Sequence, residues 1–127
     1  MSRKFIYLEN AQLITCLRLG KGIEQWLGTT KYEEETIIKW LTIEPQKNGT
    51  YIVTYLEVLD QGNENFLDIY EFASLDPDLE FGKSDSFATY EEALEFSRHQ
   101  YGCRDDKFVN VGQIQEEYRL YLISGKA

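Results

Sequence analysis

His99, the one histidine of the chain, stands four residues before Cys103, a spacing that sets two side chains on one face of a helix. A thiol beside an imidazole is a nucleophile beside its base, or half of a zinc site. Gly102 lies between them and is expected to end the helix, which takes Cys103 out of that geometry. No further Cys or His is near in sequence, whereas structural zinc takes four such ligands. The expected outcome is an exposed helical histidine beside a small buried thiol.

Asp60, Asn63, Glu64, Asn65 and Asp68 crowd oxygen ligands into nine residues. Calcium takes six to eight oxygens, but the D-x-[DN]-x-[DN]-G spacing is missing and a hairpin turn uses the same residue types. Carboxylates suited to paired acid–base work are too numerous for sequence to choose a pair. Gly20-Lys21-Gly22 lacks the context of a phosphate loop and reads as a turn. Neither G-x-S-x-G nor G-x-G-x-x-G is present. No catalytic residue, metal ligand or cofactor is therefore nominated.

Aromatic and acidic residues are the remaining candidates. Nine Tyr, seven Phe and two Trp are a heavy load for 127 residues, and Tyr and Trp suit interfaces because each joins an apolar body to a polar tip. Tyr51 and Tyr55 share one face of a strand, and Trp40 lies on the strand that opposes it. Ordinary cross-strand packing would use such residues equally well. Residues 57–95 hold twelve carboxylates against Lys83 alone. Asp76, Asp78 and Glu80 lie in the middle of that stretch. Such a surface repels nucleic acid and anionic lipid and attracts a basic protein, although acidic charge also serves solubility. Trp40, Tyr51, Tyr55, Asp76, Asp78 and Glu80 are the expected binding residues.

Strands must carry most of these positions. Residues 4–8 and 13–19 read as short β-prone runs, and 23–27 as a third strand or a short helical turn. Residues 36–44 (TIIKWLTIE) are β-branched and aromatic. Asn48-Gly49 is a hairpin signal, and 50–59 (TYIVTYLEVL) returns with Tyr51, Val53 and Tyr55 on one face and Ile52, Leu56 and Val58 on the other. Residues 66–73 (FLDIYEFA) are expected to complete the meander, with Lys39, Thr54, Asp68 and Glu71 outward on a wet face. Residues 76–85 read as a polar connection.

The period then changes. Thr89 with Glu92 has capping-box spacing, Tyr90, Ala93, Leu94, Ser97 and Tyr101 recur at helical intervals, and Gly102 supplies the stop. Residues 107–111 read as a short strand. A second helix follows over 112–123, with a strand over 118–123 as the competing reading. The segregated order predicts an α+β fold: an antiparallel meander of about five or six strands, followed by two helices packed on one face.

The length suits a single domain over 1–127, large enough to fold without disulfide or metal. No run reaches a membrane span, and the apolar stretch after Arg3-Lys4 is too short for a secretory signal, so a cytoplasmic location is expected. Cys16 and Cys103 are expected to stay reduced. A formal charge of −9 and the missing catalytic motifs fit a non-catalytic protein-binding module of adaptor, inhibitor or immunity type. The alternative is a small-molecule-binding domain with an aromatic-lined pocket between sheet and helices.

Overall fold

A computed structural model describes residues 6–79 and 81–124. The chain runs α1 (Asn10–Arg18), β1 (Ile23–Tyr32), β2 (Glu35–Pro45), β3 (Tyr51–Leu59), 3-10 turns at Ile69–Glu71 and Pro77–Leu79, β4 (Lys83–Phe87), α2 (Tyr90–Tyr101), β5 (Val109–Asn110) and α3 (Ile114–Ile123). The strands form one antiparallel sheet in the order β4-β3-β2-β1-β5. Strands β1 to β4 are a meander. After α2 the chain returns to the far edge, where β5 pairs with β1. No helix among the described residues is long and apolar enough to cross a membrane.

β2 and β3 pair from Ile37↔Leu59 to Pro45↔Tyr51. Their connection is wider than the two-residue turn that Asn-Gly suggested: the Gln46 N–H donates to the Thr50 carbonyl, Gly49 takes the positive φ, and the Asn48 side chain accepts the Thr50 N–H. α2 begins at Thr89, whose Oγ1 accepts the Glu92 N–H at 3.1 Å, and ends at Gly102 in the left-handed conformation. At the C-terminal end helix prevails over strand, because Ile114, Tyr118 and Tyr121 reach the core from one face of α3.

Three segments depart from the sequence reading. Residues 13–19 belong mostly to α1 rather than to a strand. Leu13 and Leu17 lie one turn apart and are both buried, and the Gln12 side chain accepts the Glu9 N–H as in a capping box. Residues 66–73 do not complete the meander. Ile69 and Phe72 dip into the core from a single 3-10 turn, and only Ser74 bridges to Val58. The fourth meander strand is β4, whose sequence KSDSF alternates poorly because an edge strand leaves most of its side chains in water. Of the run 4–8, residues 4 and 5 lie outside the described residues, and Tyr7 makes an isolated bridge to Val109.

The helices divide between the two faces instead of sharing one. Leu41, Ile43 and Val53 pack with Leu13 and Leu17 of α1 and Ala93 and Leu94 of α2. The alternate residues Ile38, Trp40 and Val58 pack with Ile69, Phe72, Ile114, Tyr118 and Tyr121. Both faces of the central strands carry an apolar cluster, so neither is the wholly wet face expected. Lys39 and Thr54, expected together on a wet face, lie on opposite faces: Lys39 pairs with Glu57, and Thr54 with Thr42.

Candidate functional site

α3 and the 69–71 turn cover only part of their sheet face. The rest is the floor of an open cleft of about 440 Å³. Across the floor runs a row of polar residues from β1, β2 and β3, set by the register Glu24↔Thr42 and Thr42↔Thr54, and Thr54↔Ser84 continues it onto β4 beyond the lining. Thr54 Oγ1 and Ser84 Oγ lie 2.9 Å apart and bond to each other. Along β2 the same face presents Trp40, Thr42 and Glu44 at two-residue spacing. Leu56, Tyr70, Phe81, Val111, Gly20, Gly22 and Pro45 complete the lining.

Glu24 is 1% exposed and caps α3 from another element. Its Oε1 accepts the Gly112 N–H at 3.0 Å and the Ile114 N–H at 3.3 Å, and its Oε2 accepts the Tyr70 hydroxyl. These amides sit at a helix start, where backbone donors lack intrahelical partners, and the Gln113 side chain does not cap them. Gly112 holds a φ of 95°. That conformation costs other residues roughly 1–2 kcal/mol. Burial raises the Glu24 carboxyl above its ordinary value, the bonds from Tyr70, Ile114 and Gly112 oppose that rise, and nearby Glu44 adds to it. Burial, then the bond to Glu24, pushes the Tyr70 phenol upward too.

Two residues of this floor each carry a buried polar atom without a hydrogen-bond partner, Trp40 Nε1 and Thr42 Oγ1. Trp40 is 3% and Thr42 8% exposed. An unmade bond at such depth costs about 1–3 kcal/mol. The rim, by contrast, is apolar and in water: Phe81 is 83% exposed, with Val111 and Tyr70 also exposed. Gly82 holds Phe81 at this edge. A Cβ there would come within 2.7 Å of the Tyr55 carbonyl oxygen, so only glycine lets the chain lie this close on β3.

The residues expected to bind are not brought into one site. Trp40 lies in the cleft, edge-on to Tyr70 at 5.4 Å. Tyr51 and Tyr55 are on the other face and serve α2: Tyr51 meets Tyr90 edge-on at 6.3 Å, and Tyr55 stacks on Tyr101 at 4.3 Å. Tyr55 also donates to Glu57 at 2.7 Å and, with Asp76 and Lys83, lines a crevice of about 240 Å³. Asp76 and Asp78 are exposed, and the Asp76 carboxylate accepts the Asp78 N–H. Glu80 lies outside the described residues.

The other candidates separate. The His99 side chain is 80% exposed, 3.8 Å from Glu95, while Cys103 is buried and its thiol is pushed up to about 12 by that burial. Both cysteines are free thiols. Asp60 accepts the Tyr118 hydroxyl and Asp68 the Gln115 amide, so the acidic turn spends its oxygens on different partners. Among the described residues no three His, Cys, Asp or Glu converge to hold a metal. The sequence reading missed Glu24, Thr42, Glu44, Tyr70, Phe81 and Val111. One signal was available, namely polar Glu24 and Gln25 inside the apolar run Ile23–Leu27.

No family model, curated protein or solved structure matches this chain.

Proposed function

We propose that this protein is a non-catalytic binding domain that takes a small molecule into the cleft on the α3 face of the sheet. The observation that carries this reading is that Trp40 and Thr42, each with a buried and unpartnered polar atom, line one cleft rimmed by exposed Phe81, Val111 and Tyr70. Ligand sites combine mostly apolar walls with a few fixed polar groups at about 300–1,000 Å³, and the volume of about 440 Å³ lies in that range. The cleft sits between the sheet and its connecting loops, rather than between sheet and helices.

The chain has two tryptophans, so an amide-correlation NMR spectrum holds two indole signals, and Trp26→Phe assigns them. A fragment screen should yield compounds that move the Trp40 indole signal and the amides of Gly22, Thr42 and Gly112. Val111→Arg, at the exposed rim, should abolish those shifts without unfolding the chain. A screen whose hits never move Trp40 would refute the reading.

A second reading, docking of a basic protein on the acidic 57–95 stretch, draws support from Leu79 and Phe81, both exposed beside Asp76 and Asp78. Reversing Asp76 and Asp78 to Lys should then slow association with that partner and flatten its salt dependence.

A further inference from the structure

We infer that the ligand of this cleft is a small organic amine that also carries a hydroxyl or carbonyl acceptor, an inference that rests on the cleft reading above. The charged residues in the lining are Glu24 and Glu44, with no Lys, Arg or His among the described lining residues. Glu24 is nine-tenths buried and more, and its partners are the neutral donors Tyr70, Gly112 and Ile114. Glu24 is thus satisfied within the fold, and exposed Glu44 is the carboxylate of the lining left to meet a ligand cation. An anionic ligand would add charge beside two carboxylates on a chain that carries −9 overall.

The remaining valences specify the rest of the molecule. Trp40 Nε1 can only donate, so a ligand that reaches it would offer an acceptor. Thr42 Oγ1 can accept from an ammonium, and exposed Glu44 can pair with it. Trp40, Thr42 and Glu44 follow one another along β2 at roughly 7 Å per step. A molecule with an acceptor at one end and an ammonium at the other, some six to nine bonds apart, spans that line. The rings of Tyr70 and Phe81 in the wall suit an organic cation, through their negative faces.

The test uses three probes on one skeleton: tyramine, tyrosol and 4-hydroxyphenylacetate, which differ in charge at one end and share a phenol acceptor. Each is titrated into the full chain while the Trp40 indole signal is followed. Tyramine should bind at least about two- to fivefold more tightly than tyrosol, the gain expected of a largely exposed ion pair, and the acid should bind most weakly. Glu44→Gln should bring tyramine down to the affinity of tyrosol and leave tyrosol unchanged, and added salt should do the same. Equal binding of amine and alcohol, or tightest binding by the acid, overturns the amine inference and leaves the cleft reading standing. If none of the three moves Trp40, the amine inference is overturned, and the fragment screen decides the cleft reading.

Discussion

Glu24 carries a carboxyl raised above 4.5 by burial, even though three donors reach it. The folded chain therefore holds this proton more tightly than the unfolded chain does. Between the ordinary carboxylate range and the raised folded value, the native state binds more protons, and the contribution of Glu24 to stability declines as pH rises. Glu24→Gln keeps the shape and removes the titration. The difference in unfolding free energy between wild type and this variant should fall as pH climbs from about 4, then level off above the folded value. Urea titrations at several pH values measure it, and a difference independent of pH would mean that Glu24 titrates as in a free chain. Neighbouring Gln25 is buried on the opposite face, where its amide donates to the Arg104 carbonyl at 2.8 Å and accepts the Arg104 N–H at 2.9 Å. Two adjacent polar residues in one strand thus anchor two different layers.

Turns and caps govern the elements. α2 owes its start to Thr89, so Thr89→Ala should destabilise the protein by about 1 kcal/mol, the usual loss of an N-cap. Thermal unfolding of the pair of proteins checks this; equal midpoints would show that capping is unimportant there. The β1–β2 hairpin holds the one described non-glycine residue at positive φ, Glu33 at 57°. A left-handed residue costs roughly 1–2 kcal/mol, and Asn tolerates the region better than Glu does. Glu33→Asn is exposed and should raise stability by about 0.5–1 kcal/mol, seen as a higher urea midpoint at unchanged slope.

One sheet joins two apolar clusters through the whole molecule, because β2 and β3 contribute to both. Loss of either layer strips the other of its backing. Unfolding should be one cooperative transition, with tryptophan fluorescence, which reports the α3 side through Trp26 and Trp40, coinciding with far-UV circular dichroism. Separate transitions would show that the layers unfold independently. The charge of −9 acts over the same distance. Self-repulsion weakens as salt screens it, so the midpoint should rise between low and physiological ionic strength.

Local pattern was enough for the elements whose own residues decide them. Thr89, Glu92 and Gly102 set both ends of α2, and the alternation of 36–44 and 50–59 set the central hairpin, but its register is one residue away from the one a two-residue Asn48-Gly49 turn gives. The α+β class and the antiparallel meander follow from those runs. Where an element depends on its neighbours, the pattern misled. Residues 13–19 are apolar enough for either period, and the sheet beneath Leu13 and Leu17 favoured helix. Residues 66–73 look like a strand, but Ile69 and Phe72 gain more burial from a turn that reaches Tyr118. Trp40 was recognisable as a binding candidate from its type. Its separation from Tyr51 and Tyr55 followed from the strand register, which pairs Trp40 with Leu56 and sets Tyr55 opposite Leu41. The cleft was hidden because it is assembled from six separate stretches of chain around residues 22, 42, 54, 70, 81 and 111. Their proximity is a property of strand register and loop closure, and residue order along the chain carries no trace of it.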